Sequence, residues 1–269
     1  MTTPRMLACL ALLATLALPS RAADPAAGRA LAESVCAACH GAQGVSVADR
    51  FPNLAGQRQR YLADQLTAFR SGARTSDVMN ALAAQLTDDD VANLAAHFSA
   101  QPGAAPGARS PLLESVVATR VTLPASFGAG HVRYLTKSDV ESKMVAVYYA
   151  SRVAIDAAAA GRPLPDGSEI FIEVSSAKLD AAGVPLKDAA GELVPDKVMS
   201  YTAMARQAGW GERLPPLLRN ENWNYALFGA DRSLRTGANQ AECLACHKPK
   251  QAQSYLFLHA ELAAAARKR

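Results

Sequence analysis

Polar and apolar positions divide the chain into stretches of different character. From Asp24 to Phe98 the apolar residues recur at helical spacing. Asp24-Pro25 opens the first helix with a capping residue and a proline at its first position, and the pattern carries that helix into Cys36-Ala37-Ala38-Cys39-His40. Tyr61, Leu62, Gln65, Leu66 and Phe69 predict a second helix over Arg58 to Phe69. Thr87 with Asp88, Asp89 and Asp90 starts a third, running through Phe98, because acids there complement the positive end of the helix dipole. A loop of glycines and small residues, Gly41 to Gly56, and another loop holding Met79 separate them.

After Gln101 the periodicity changes. Residues 101–111 hold three prolines, two glycines and a single charge, which reads as a linker. Beyond it, Val145 to Tyr149, Glu169 to Val174, Lys197 to Met204 and Trp223 to Phe228 are strand-like runs of β-branched and aromatic residues, with Asp166-Gly167 and Ala182-Gly183 as turns. Ser151 to Ala160 and Tyr255 to Arg267 read as helices. The expectation is an all-α domain over residues 23–100, a linker over 101–111, and an α+β domain over 112–269 with a mainly antiparallel sheet. The linker would supply a high effective concentration of one domain for the other without a permanent interface.

Residues 1–22 stand apart. Arg5, an apolar run from Met6 to Leu18, and Ser20 and Ala22 as small residues have the order of a secretory signal peptide cleaved near Ala22. The run is too short to span a bilayer, which takes about 20 apolar residues, and no later stretch qualifies. The mature chain is therefore expected to be exported, soluble and periplasmic, with Cys9 discarded. With 28 basic and 24 acidic residues, the only basic run is Arg267-Lys268-Arg269, so a nucleic-acid partner is not expected.

The cysteines carry the chemistry. Every cysteine after Cys9 belongs to one of two motifs, Cys36-Ala37-Ala38-Cys39-His40 and Cys243-Leu244-Ala245-Cys246-His247. Both match the c-type haem attachment pattern, in which two thiols add to haem vinyl groups and the adjacent histidine ligates the iron. A thioredoxin-type dithiol would need a βαβ context that is missing here, and a zinc site would find only three nearby ligands at each motif. Two covalently bound c-type haems are expected. They would also fill cores that a chain with 6% aromatic residues would otherwise struggle to fill.

Residues 24–100 resemble the class I cytochrome c family. The resemblance rests on the helix ending in Cys36-Ala37-Ala38-Cys39-His40-Gly41, on Phe51-Pro52-Asn53-Leu54-Ala55-Gly56, and on Met79 ahead of Leu86-Thr87-Asp88-Asp89-Asp90. It implies that Met79 is the second axial ligand opposite His40, a pairing that raises the haem potential and suits an electron carrier. His97, on the last helix, is expected to be partly exposed and not a ligand.

Residues from about Ala118 to Ala266 are similar to the cytochrome P-460 family, which includes the cytochromes c′-beta. The matching segments are Gly161-Arg162-Pro163-Leu164-Pro165-Asp166-Gly167, Glu169-Ile170-Phe171-Ile172-Glu173-Val174, Val198-Met199, Gly209-Trp210-Gly211, Asn222-Trp223, the second haem motif, and Ser254-Tyr255-Leu256-Phe257. This resemblance implies a haem attached near the C-terminus, with His247 as proximal ligand and a distal face commonly open to a small ligand. It also implies a homodimer, since the family often forms dimers. Some members cross-link a lysine to the porphyrin and oxidise hydroxylamine, whereas others bind nitric oxide or carbon monoxide.

No lysine lies in the strand from Glu169 to Val174. The nearest is Lys178, with Lys197 and Lys143 as weaker candidates for a cross-link. Phe171 as a distal cap and Glu173 as a proton relay are the distal-side expectations, each with core packing or an exposed position as the alternative. Met144, Met199, Met204, His131 and His259 are candidates for a sixth ligand, and Trp210 and Trp223 are assigned to packing.

The functional expectation is a dihaem cytochrome working with a redox partner protein. Its first haem would exchange electrons with a second that binds or converts a diatomic or hydroxylamine-like ligand, as a haem oxidoreductase if there is turnover. The alternatives are a plain carrier with both haems six-coordinate, or a nitric oxide or carbon monoxide binding module without turnover.

Overall fold

A computed structural model describes residues 22–111, 116, 118–128 and 130–269. The expected signal peptide, including Arg5 and Cys9, lies outside the described residues except for Ala22.

The N-terminal region is helical. Helix α1, Pro25–Leu31, starts where Asp24 accepts hydrogen bonds from the amides of Ala26 and Ala27. It passes through a π-helical turn, Ala32–Cys36, into the short α2, Ala37–His40. Such a π turn changes the side-chain phase up to Cys36, its last residue, and is frequent at functional sites. Helix α3 spans Gln59–Ser71 and stops at Gly72, whose φ of 78° is the left-handed conformation that a C-terminal cap requires. Helix α4, Asp77–Ala83, begins where Ser76 caps the amide of Met79, so Met79 sits in the first turn of a helix and not in the expected loop. Helix α5, Asp88–Ser99, is opened by a capping box in which Thr87 and Asp90 satisfy each other's backbone amides.

Helices α1 and α5 touch at close range. A Cβ on Gly28 would lie 2.0 Å from the carbonyl oxygen of Asn93, so only glycine allows this crossing. The Asp24 amide donates to Asn93 Oδ1 at 2.6 Å and fixes the register. Ala32, Leu62, Leu94, Ala95 and Phe98 form the small core behind the crossing.

The C-terminal region is built on a five-stranded antiparallel meander in sequence order. Its strands are β1, His131–Asp139, β2, Met144–Ser151, β3, Glu169–Ala177, β4, Pro195–Arg206, and β5, Trp223–Gly229. Edge strand β1 has no clean alternation and was not predicted; its Arg133, Lys137 and Asp139 suit an edge that must not pair further. Helix α6, Arg152–Ala159, is capped by Ser151, α7 is Gln240–His247, and α8 is His259–Arg267.

The helices cover one face of the sheet. There Ile170, Met204 and Tyr225 pack in one cluster with Ala154, Leu244 and Leu262. On the other face Phe171, Tyr201, Ala203 and Phe228 pack with Val121 and with the partly buried Leu123 and Phe127. Trp223 is fully buried, in keeping with its assignment to packing.

The two regions meet in a packed interface, contrary to the expectation of a loose tether. Helix α4 lies against α7. Val35, Ala38 and Cys39 belong to the same buried cluster as Ala241, Leu244 and Ala245. The alanines inside and beside both motifs make this possible, because a methyl group lets one helix backbone approach another. Segment 101–111 also packs, since Ser110 N–H donates to Ser46 at 2.9 Å and Arg109 pairs with Asp49.

Gly28→Ala should destabilise the helical region by about 1–3 kcal/mol, the usual cost of forcing volume into a packed contact. A urea titration followed by helical circular dichroism reads this directly, and an unchanged transition would mean that α1 can move off α5 freely.

Candidate functional site

In each Cys-x-x-Cys-His motif the helix puts the two thiols one turn apart with the imidazole beside the second. Cys36, Cys39, Cys243 and Cys246 are all free thiols. Burial, with the charge of Cys39 second, pushes the Cys36 thiol up to about 12. Burial, then Glu242, does the same for Cys39, and Cys243 rises to about 11 from burial and Glu242. Cys246 is raised by burial and by Asp77. The thiols of the folded chain are therefore protonated at neutral pH and poor nucleophiles.

Both histidines are held alike. His40 Nδ1 lies 2.9 Å from the carbonyl oxygen of Pro52, and His247 Nδ1 lies 2.6 Å from that of Tyr255. A carbonyl only accepts, so Nδ1 carries the proton and Nε2 presents its lone pair. Burial lowers both pKa values against the smaller opposing pull of those carbonyls, so both rings are neutral, as a metal ligand must be.

The acceptors are delivered by unusual backbone. Loop 41–56 turns at Gly41, with φ of 73°, where a Cβ would meet the Val45 carbonyl oxygen at 2.0 Å. At the second site Ser254 and Tyr255 both adopt positive φ, 53° and 62°, which costs of order 1–3 kcal/mol each for residues other than glycine. Ser254 Oγ accepts from the Leu164 amide at 3.0 Å and helps hold that conformation.

Two buried asparagines grip the motifs. Asn220 Nδ2 donates to the Leu244 carbonyl at 2.8 Å and lies 3.1 Å from Tyr225 Oη, while Asn239 Nδ2 donates to the Ala38 carbonyl at 2.6 Å. Neither was singled out in the sequence, and no sequence signal marks them beyond an asparagine placed before a helix.

His247 opens onto a cleft of about 330 Å³ between the sheet and the segment after α7. Its sheet wall is Tyr134, Tyr148, Ile170, Ile172 and Met204, and Lys137 stands at the rim, 3.7 Å from Glu261. Burial raises the pKa of Tyr134 and Tyr148 and keeps both phenols protonated.

Strand alternation decides the distal-side expectations. Ile170 and Ile172 face the cleft, so Phe171 and Glu173 point to the opposite face. Phe171 is fully buried there, 5.1 Å from His131 ring to ring. The structure thus does not bring Phe171 or Glu173 to His247. Lys178 is exposed past the end of β3, and Lys197 and Lys143 are exposed as well. Lys137, overlooked because β1 was not predicted, is the lysine at the cleft.

Among the sixth-ligand candidates, only Met204 borders the cleft. His131 pairs with Glu169 at 2.8 Å on the other face, and Met199 is exposed. Met144 opens β2 and His259 opens α8, both away from the cleft lining. His97 is buried, against expectation, and its Nε2 lies 3.2 Å from the Ala42 carbonyl oxygen.

The donor sets fit a covalently attached haem at each motif, with paired free thiols, a neutral imidazole with Nε2 available, and for His247 an apolar cleft beside it. Among the described residues no group of three or more His, Cys, Asp or Glu side chains forms another metal site. No helix among them is long and apolar enough to cross a membrane.

Comparison with known proteins divides the chain in the same way. Residues 124–258 match the family Cytochrome P-460 and residues 25–100 match the family Cytochrome c. The N-terminal region is similar to cytochrome c4 of Thiocapsa roseopersicina, 46% identical over 92 residues, which is 34% of this chain and 47% of that one. It is 49% identical over 84 residues to cytochrome c4 of Pseudomonas aeruginosa, covering 31% of this chain and 41% of that one. A thiosulfate dehydrogenase electron acceptor of Stutzerimonas stutzeri is 43% identical over 67 residues, covering 24% and 31%. The chain spans less than half the length of each of these relatives.

Asn220→Ala should cost about 1 kcal/mol, because it removes buried hydrogen bonds to Tyr225 Oη and to the Leu244 carbonyl, which keeps the Lys248 amide as its other donor. Thermal unfolding of the C-terminal region measures the loss, and a midpoint equal to that of the unaltered protein would show that the amide carries no weight.

Proposed function

The chain belongs to the cytochrome P-460 family, with a cytochrome c domain ahead of its P-460 domain, and we propose that it is an exported, periplasmic dihaem electron-transfer cytochrome. Its domains are residues 23–100 and 112–269, joined by 101–111. Cys36 and Cys39 anchor one haem whose iron takes His40 and Met79. Cys243 and Cys246 anchor the other, with His247 as proximal ligand. The observation that carries this reading is the repeated geometry of two helices that each offer paired thiols and a neutral imidazole with Nε2 free.

Haem supplies a reversible one-electron couple and, where its sixth position is open, a place for a small ligand. The protein side chains do the rest. Pro52 and Tyr255 fix the protons on Nδ1, so the imidazoles stay oriented and basic enough to ligate. The likeness of the N-terminal region to an electron acceptor of another enzyme supports exchange with a partner protein.

The sixth position of the second haem is open in this reading and accepts a small nitrogen oxide such as nitric oxide, or hydroxylamine. The apolar cleft wall supports this, and its two protonated phenols are hydrogen-bond donors for a ligand oxygen. Lys137, the lysine at this cleft, is paired with Glu261, which supports a haem without a lysine cross-link. A second reading is favoured by Met204, which borders the same cleft and could close the position to give a six-coordinate carrier.

Two measurements test the proposal. Haem analysis of denatured protein should find two covalent haems per chain, and one after Cys243→Ala with Cys246→Ala. Carbon monoxide added to the reduced protein should shift an ordinary c-type Soret band for one haem of the two. No shift in the unaltered protein, with a shift appearing in Met204→Ala, would establish the second reading instead.

A further inference from the structure

The interface between the two regions contains a residue that touches one haem motif and caps the helix that carries the other. Asn239 is the N-cap of α7, the helix that carries Cys243, Cys246 and His247, and its Oδ1 accepts from the Ala241 amide at 3.1 Å. Its Nδ2 donates to the carbonyl of Ala38, between Cys36 and Cys39, at 2.6 Å, and sits 3.6 Å from Cys39 Sγ. The side chain is buried. A single amide therefore links the peptide beside one anchoring cysteine to the backbone two residues before another.

We propose that Asn239 is the positioning residue for electron transfer between the two haems, the bridge through which the Cys39 side of one motif is coupled to the Cys243 side of the other. The inference rests on the dihaem reading above. The step is a single-electron exchange in which one iron is oxidised as the other is reduced, with no bond made or broken and no proton moved. Electron tunnelling falls off less steeply through bonds and hydrogen bonds than through space. The route from Cys39 to Cys243 needs only two hydrogen bonds, both made by Asn239. The amide also fixes the approach of the two helices, since an asparagine used only as a cap would leave Nδ2 to solvent.

Ala38 and Cys39 also pack in one apolar cluster with Leu244 and Ala245, but the other polar contacts across the interface lack this link. Arg50 and Glu242 form an ion pair nearer the surface, and Gln85 Nε2 reaches the Leu217 carbonyl at 3.3 Å, away from both motifs. They hold the regions together without touching the peptides between paired cysteines.

The test uses the full-length protein with both haems attached. Asn239→Ser keeps a capping oxygen of comparable strength and removes the amide donor without adding charge. Arg50→Gln removes an interdomain contact and leaves the bridge. After photochemical injection of one electron, re-equilibration between the haems should be clearly slower in Asn239→Ser than in the unaltered protein. Each haem's optical spectrum and potential should stay as in the unaltered protein, and Arg50→Gln should keep the unaltered rate. An unaltered rate in Asn239→Ser, or equal slowing in Arg50→Gln, would overturn the assignment to Asn239 and leave the dihaem reading standing. A single haem per unaltered chain would overturn both.

Discussion

An imidazole presents a chosen nitrogen to a metal in a fixed direction when an acceptor holds the proton on the other, and much of this chain serves to deliver that acceptor twice. In the N-terminal region the acceptor is the Pro52 carbonyl, brought over His40 by a loop that turns at Gly41 and is tied down by Asn53, whose Oδ1 accepts from the Ser46 amide at 2.8 Å. In the C-terminal region it is the Tyr255 carbonyl, presented by two consecutive residues in a left-handed conformation. The strain at Ser254 and Tyr255 is tolerated because their surroundings over-determine it. Tyr255 is buried, its amide donates to the Lys250 carbonyl at 2.8 Å, and Ser254 Oγ accepts from Leu164.

The sheet has two faces with different work. One, with Ile170, Ile172 and Met204, borders the cleft beside His247. The other is an aromatic floor, where Phe127 stacks on Tyr149 at 4.4 Å and Arg232 lies over the ring of Tyr201 at 4.8 Å. Arg232 also donates to Tyr201 Oη and to the Pro124 carbonyl, so the segment before β1 is pinned to the sheet. His131, on that floor, is paired with Glu169 and belongs to this packing.

What the sequence made legible follows from which signals are local. The two motifs, the helix start at Thr87, helix α3 and four of the five strands depend on neighbours within a few residues, and they were read with small shifts at their ends. The cap at Ser76 is also local, yet the loop reading of Met79 passed over it. Strand β1 was missed because an edge strand with charges on it lacks alternation. Phe171 and Glu173 were assigned to the wrong side because a strand's period fixes which residues share a face but not which face meets the cleft. Lys137 and Met204 could be weighed only once that face was known. The interface lay beyond reach altogether, since a linker rich in proline and glycine gives no hint that the alanines on either side of it will pack together.

The hydrogen bond from Asn239 to Ala38 joins residues 201 positions apart. Closing so long a loop costs little more than closing a shorter one, because the entropy lost grows only with the logarithm of length, by about 0.6 kcal/mol per doubling. The price is kinetic, since contacts of such sequence separation form after the local ones. The first motif therefore acquires its final burial only when the chain has been made through the helix that carries the second. A chain stopped short of Asn239 would contain all of α1 to α5 and still leave the Ala38 carbonyl without its donor and the small apolar face around it bare. A helix from the start of the fold is finished by one from the second region, and the contact between them works as a clasp that closes only once both motifs are present.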